Sequence, residues 1–431
     1  MTKEFTYQRG FGGHWQSEAL KGALPEGQNS PQKPPFGLYA EQLNGSAFTR
    51  ARHLNFRSWL YRILPAAVHS PFQEVLHSGL TQDTSTSPEP TQMRWHPLED
   101  PKQKTDFIDG TKTLLINGSP TQHQGGAIHL YAANANMENR YFYSADGEWL
   151  IVPYEGECEL FTEFGKIQLA VGEIAVIPRG VRFQVNLLSS LIKGYICENY
   201  GSPFTLPDLG PIGSNGLANA KDFLIPHAAF EEKQGDFELL AKFDRKLWQA
   251  HINHSPLNVV AWHGNYAPYK YSLHNFNTIN TVSYDHCDPS IFTVLTSQSA
   301  MPGIANMDFV IFPERWMVAE HTFRPPYYHR NVMSEYMGLI YGVYDAKGDG
   351  FVSGGGSLHN MMSGHGPDKD SLEQGINAKL EPIKQKNTLA FMFESCLPWS
   401  ATAFAKSEAL LQPNYQKSWQ HLDVLFKQEE R

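Results

Sequence analysis

His329 and Glu335 stand six residues apart in the run Arg324-Pro325-Pro326-Tyr327-Tyr328-His329-Arg330-Asn331-Val332-Met333-Ser334-Glu335. Two more histidines follow: His359 after Gly354-Gly355-Gly356-Ser357-Leu358, and His365 between Gly364 and Gly366. Seven of the 18 histidines fall between His263 and His365. Two imidazoles and one carboxylate are the facial set of non-haem Fe(II) oxygenases. Three protein ligands on one face leave the remaining positions open to substrate and O2. No plain strand runs from His329 to Glu335, so a strand through His329, a turn and a return strand through Glu335 are expected to join them. Spacing leaves the third ligand open. His359 follows Gly356 by three, while the glycines beside His365 allow close approach to a metal without side-chain clash.

The spacing resembles the first metal block of the cupin superfamily, H-x-H-x3-E-x6-G. His329, Asn331, Glu335 and Gly342 occupy its positions. Asn331 stands where a three-histidine cupin has its second ligand, and the loss of that histidine suits oxygen chemistry. A fainter echo lies earlier. Gly172, Pro178 and Gly180 match G-x5-P-x-G of the second block, but Phe183 takes the histidine position and no H-x-H precedes it. The first half is therefore expected to be a cupin-like sandwich without metal.

The elements that position these residues are mainly strands. Gly 35 and Pro 28 in 431 residues demand many turns. From Thr111 to Asn199 the chain alternates: Cys158, Leu160, Thr162 and Phe164 against Glu157, Glu159 and Glu163, with a turn expected at Gly165-Lys166. Phe161 breaks the polar set and suggests that its face is partly covered. Residues 1–110 carry many prolines but also Phe11, Trp15, Phe36, Tyr39, Phe48, Phe56, Trp59 and Tyr61. That combination reads as an extended arm packed on something, with a neighbouring subunit as one candidate. Phe237 to Gln249 reads as a helix, with Asp236 as N-cap and Leu240, Phe243 and Leu247 on one side. Residues 281–393 form a second β-rich region, and 414–431 read as a helical tail with Trp419, Leu422 and Phe426 on one face. The fold class expected is mainly β: two cupin-like β-sandwich or jelly-roll halves, 1–275 without metal and 276–431 with the Fe(II) site.

Composition removes other classes. With 18% charged residues and a formal net charge of −9, a phosphate-binding surface is not the default. No apolar run approaches about 18 residues, so no membrane helix is expected. Met1 to Gly13 has no apolar signal core. Cys158, Cys197, Cys287 and Cys396 are far apart, with no C-x-x-C, and read as small buried hydrophobes rather than disulfides or zinc ligands. A cytoplasmic protein is expected, with no nucleic acid or membrane partner. Two other classes share the fold: a Zn or Mn cupin isomerase, which keeps a more closed coordination, and a metal-free binding protein, which needs no intact trio.

Longer runs carry a closer resemblance. Arg9 to Gly13, Arg52-His53-Leu54-Asn55 through Trp59-Leu60-Tyr61-Arg62, Phe323 to Glu335 and Gly354 to Asp368 resemble the homogentisate 1,2-dioxygenase family over nearly the whole chain. That resemblance implies O2-dependent ring cleavage of 2,5-dihydroxyphenylacetate to 4-maleylacetoacetate, in phenylalanine and tyrosine breakdown. It implies iron ligands at His329, Glu335 and His365, His365 thereby also bordering the substrate. It implies an acid–base histidine at His286, in Tyr284-Asp285-His286-Cys287-Asp288-Pro289. Tyr344 corresponds to a tyrosine that hydrogen-bonds the substrate, and His359 lies beside it. The family assembles as trimers and hexamers, which suits an aromatic arm. A related enzyme acting on another hydroquinone such as gentisate is the alternative. His263 and His274 read as structural.

Overall fold

The computed structural model describes residues 5–76, 78–81, 86–208, 217–280, 282–283, 289–344 and 350–427. The chain is mainly β, with two short α-helices among the described residues, Lys369–Asn377 and Lys417–Gln420. A nine-stranded sheet centres on Glu148–Glu155, Ile192–Asn199 and Gln124–Ala133. A seven-stranded sheet lies across it. Phe142 on the seven-stranded sheet meets Trp149 on the nine-stranded one, ring centres 4.7 Å apart, and Phe183 closes on Phe142 at 5.5 Å. Phe183, in the position of a cupin histidine, is thus part of an aromatic core.

The site-bearing sheet has six strands in the order Thr293–Gln298, Ala305–Phe312, Leu389–Ser395, Ser334–Tyr341, Gly356–His359, Met93–Trp95. It packs on the first half through Tyr195. That ring lies 4.8 Å from Phe391, and its hydroxyl donates to the Gly355 carbonyl at 2.8 Å. Gly338 has no side chain because a Cβ there would crowd Phe391 and Tyr195. The halves also exchange strands. Met93–Trp95 completes the six-stranded sheet, and Ser400–Ala401 pairs with Thr111–Ser119 of the nine-stranded one.

Residues before 110 are more ordered than their prolines suggest. Trp15–Glu18, Arg57–Arg62 and Tyr39–Asn44 form a four-stranded sheet with Val259–Gly264, and Tyr7–Arg9 joins the edge of the nine-stranded sheet. The arm therefore packs on its own chain.

Phe237 to Gln249 is not a helix but a hairpin of Gln234–Phe243 and Lys246–His254. Leu240 and Leu247 are buried in the main core, while Phe237, Leu239 and Ile252 are buried in a second cluster. A strand buried on both faces shows no alternation, and its apolar spacing mimics a helix. The turn is Asp244-Arg245, both at positive φ (48° and 64°), with both N–H groups on the Asp146 carboxylate at 2.6 and 2.8 Å. That anchor is almost 100 residues away in sequence. The tail differs too. Only Lys417–Gln420 is helical, and Val424, Leu425 and Phe426 are exposed. The hairpin after Cys158 turns at Glu163-Phe164, two residues earlier than expected, and Phe161 is buried under its covered face.

Candidate metal centre

Glu335 is the second residue of Ser334–Tyr341, buried on an inner strand of the six-stranded sheet. His329 lies outside any long strand. Its N–H donates to the His365 carbonyl (2.9 Å), and its carbonyl accepts the reverse bond from the His365 N–H (3.2 Å). This isolated bridge brings the two histidines together; of the strand and return expected to join His329 to Glu335, only the Glu335 strand forms as a full strand. Gly366 is required for it: a Cβ there would come within 2.9 Å of the Tyr328 Cα. Gly364, by contrast, faces open room, with the nearest atom 3.8 Å from a Cβ. The glycine after His365 serves the bridging backbone.

The ligand atoms of His329, Glu335 and His365 all lie within 4.8 Å of one another. Among the described residues this is the one such group of His, Cys, Asp and Glu. His365 Nε2 is 2.9 Å from Glu335 Oε2, and His329 Nε2 is 3.7 Å from Oε1. Both rings are fixed from behind. His329 Nδ1 donates to the Tyr327 carbonyl at 2.8 Å, and His365 Nδ1 to the Ser363 carbonyl at 3.0 Å. An Nδ1 that holds its proton on a carbonyl leaves the Nε2 lone pair for a metal. Burial would push the Glu335 carboxyl up, but hydrogen bonds from the two imidazoles outweigh it and hold it well below the usual range. The hydrogen bond to Glu335 raises His329 against the opposing effect of burial. A metal would displace the Nε2 protons that now face Glu335, and two neutral nitrogens with one ionised carboxylate are then the donor set of a mononuclear Fe(II) site, which this geometry fits. His329 is the most exposed of the three side chains, at 28%.

His359 lies directly across the strands from Glu335. Its Nε2 is 2.8 Å from the Tyr415 hydroxyl, and its ring is stacked on His365. It is not part of the group that could hold an ion. Tyr344 is buried beside Phe312 and Phe351. Phe312 is four residues along its strand from Asp308, which is level with Glu335 through Glu394. At about 3.3 Å per residue Phe312 is about 13 Å along the sheet from the row that holds Glu335. His286 lies outside the described residues.

Residues 6–273 match the N-terminal region of homogentisate 1,2-dioxygenase and residues 274–426 the C-terminal region. The chain belongs to the homogentisate 1,2-dioxygenase family. Its function is the family's, dioxygenation of homogentisate. Solved structures that it resembles include protein YlbA from E. coli (11% identity, 73% of this chain and 94% of that one, TM-score 0.31). Others are a cupin 2 conserved barrel domain protein from Leptotrichia buccalis (11%, 66% and 88%, 0.30) and a putative dioxygenase from Nostoc punctiforme (10%, 79% and 85%, 0.27). Scores this low say nothing of chemistry. Among the described residues no helix is long and apolar enough to cross a membrane.

Glu394 was missed by spacing alone. It is the carboxylate that directly follows the apolar run Leu389-Ala390-Phe391-Met392-Phe393 on the same strand, and that abrupt end was the available signal. Asn331 donates from Nδ2 to Glu335 Oε1 at 3.0 Å and to Glu394 Oε1 at 3.1 Å. Tyr415 falls in the tail read as helical, and its residue type there gave no sign of a partner at the site.

Proposed function

We propose that His329, Glu335 and His365 hold Fe(II), and that the enzyme opens the homogentisate ring in the extradiol manner. The observation that carries this reading is the trio itself, with both imidazoles anchored through Nδ1 and both Nε2 atoms directed at one ionised carboxylate. Iron bound there supplies a Lewis acid and the one-electron chemistry that O2 requires.

The chain's own residues prepare the substrate. Glu335 contributes the single negative charge, which leaves net positive charge at the metal to attract a phenolate. By the family resemblance, His286 takes the ring hydroxyl's proton, a task suited to an imidazole near neutral pH. By the same resemblance, Tyr344 hydrogen-bonds the substrate. The buried position of His359 behind His365 supports a positioning role for it rather than direct substrate contact. The first 275 residues act as a scaffold that lends Met93–Trp95 to the catalytic sheet. Assembly as a trimer or hexamer and a cytoplasmic location belong to the same proposal.

The test is metal analysis of anaerobically purified protein together with O2 uptake on homogentisate and on gentisate. One iron per chain and stoichiometric uptake on homogentisate are expected. Zinc or manganese with no O2 uptake would overturn the reading.

A further inference from the structure

Glu335 and Glu394 are directly opposite on adjacent strands. Asp308 continues the row on the next strand, and His359 ends it on the other side. Like charges directly opposite in a sheet repel one another. One side chain joins Glu335 and Glu394. The Asn331 amide places one Nδ2 between their Oε1 atoms, at 3.0 and 3.1 Å. Its Oδ1 accepts the Met333 N–H at 3.0 Å, which fixes the amide so that its NH2 faces the carboxylates. Its backbone carbonyl accepts the Met362 N–H at 2.7 Å, from the loop that leads to His365.

We propose that Asn331 is the positioning residue of the metal centre. Its amide clamps Glu335 to Glu394, occupies Oε1 of Glu335, and leaves Oε2, the oxygen beside His365, to the metal. The position that a three-histidine cupin gives to a ligand holds here the residue that orients one. This inference rests on the reading of His329, Glu335 and His365 as the metal ligands.

Aspartate separates the two jobs of Asn331. Asn331→Asp keeps an oxygen for the Met333 N–H but replaces the bridging donor with a third negative charge. The measurement is anaerobic Co(II) titration of the metal-free full chain, followed by absorbance, with thermal unfolding as the control for folding. Asn331→Asp is expected to weaken Co(II) by roughly 10–100-fold, the usual cost of losing an outer-shell partner. Adding Glu394→Gln should recover most of the loss, because the new amide restores a donor between the two carboxylates. Asn331→Asp that binds as tightly as wild type would show that Asn331 merely shapes the turn, and would overturn the proposal. Should that variant fail to fold, the alanine pair makes the same test. Asn331→Ala and Glu394→Ala break one bridge, so their combination should weaken Co(II) no more than the worse single change, and additive losses would overturn it. Glu335→Ala and His365→Ala are run alongside. Undiminished Co(II) binding in these would show that the metal centre itself was misread, a failure distinct from that of the Asn331 clamp.

Discussion

The imidazole of His359 lies flat on that of His365, ring centres 3.9 Å apart and planes 13° from parallel. Behind it, the Tyr415 hydroxyl meets His359 Nε2 at 2.8 Å, and Arg94 sits over the Tyr415 ring at 4.6 Å. Trp419 donates to the Gly366 carbonyl at 3.2 Å, and Gln92 to that of Gly364 at 2.7 Å. The loop carrying His365 is thus held both by the segment around Gln92 and by the tail around Trp419. Tyr415→Phe removes the hydroxyl but keeps the ring. It should lower Fe(II) affinity by about tenfold while the site still fills at excess metal. Competition against a graded chelator measures this, and unchanged affinity would remove Tyr415 from the support of the site.

A facial trio has no spare protein ligand. His329→Ala, Glu335→Ala and His365→Ala should each lose iron and activity together. His359→Ala should still reach one iron per chain when iron is in excess, because its Nε2 faces Tyr415. Full iron in His365→Ala, with loss in His359→Ala, would mean that the third ligand was wrongly assigned.

The first half has its own buried charge centre. Lys242 Nζ lies 2.7 Å from Asp146 and 2.8 Å from Glu198, and all three side chains are essentially inaccessible to solvent. His129 Nε2 approaches the same Glu198 at 3.2 Å. Lys242→Met leaves two carboxylates without their cation, which costs about 3–5 kcal/mol for a buried pair. Denaturant unfolding should show that loss. Iron per folded chain should stay at one, since the cluster is remote in the chain from the trio, and a fall in iron without loss of stability would contradict a metal-free first half.

Glu148 supplies a pH dependence. Burial pushes its carboxyl up to about 7, although Asn199 and the Phe204 N–H both donate to it. The folded state therefore binds this proton more tightly than the unfolded chain. Stability from this group is fully present below the unfolded value near 4.5 and is lost as pH rises through about 7. The loss is on the order of 3 kcal/mol. Glu148→Gln keeps an oxygen for both donors and cannot ionise. Its unfolding free energy relative to wild type should rise between pH 5 and 8, and a flat difference would show that Glu148 does not titrate there.

What the sequence made legible follows physical reach. His329 and Glu335 were readable because chemistry restricts residue types and their separation is a local spacing, whereas spacing left His359 and His365 open as the third member and only the family resemblance chose His365. The His365 bridge was not, because it is a backbone pairing that depends on Gly366 lying against Tyr328. Strands such as Cys158–Thr162 were visible through their alternation, whereas Gln234–Phe243, covered on both faces, imitated a helix. The turn that corrects it depends on Asp146, too distant for any local pattern. Glu394 and Tyr415 act through partners supplied by folding, so their types alone carried no assignment.

His286 is proposed as the base that activates the phenol without binding the metal, and that role has its own signature. His286→Asn should keep iron near wild-type occupancy, because all three ligands remain. Substrate should still bind. Turnover should fall by roughly 10²–10⁴-fold, the usual contribution of one positioned base. The acid limb of the rate profile, set by protonation of an imidazole, should shift or vanish. Raising the pH should partly restore the variant, since more substrate arrives already deprotonated. A structural histidine predicts the opposite pattern, with lost folding yield or lost iron and no rescue at high pH. Iron content and the pH–rate profile measured on the same preparation separate the two. If iron stays and turnover is unchanged across pH, the proton leaves through another group. The enclosure of His359 between His365 and Tyr415 makes it a poor substitute.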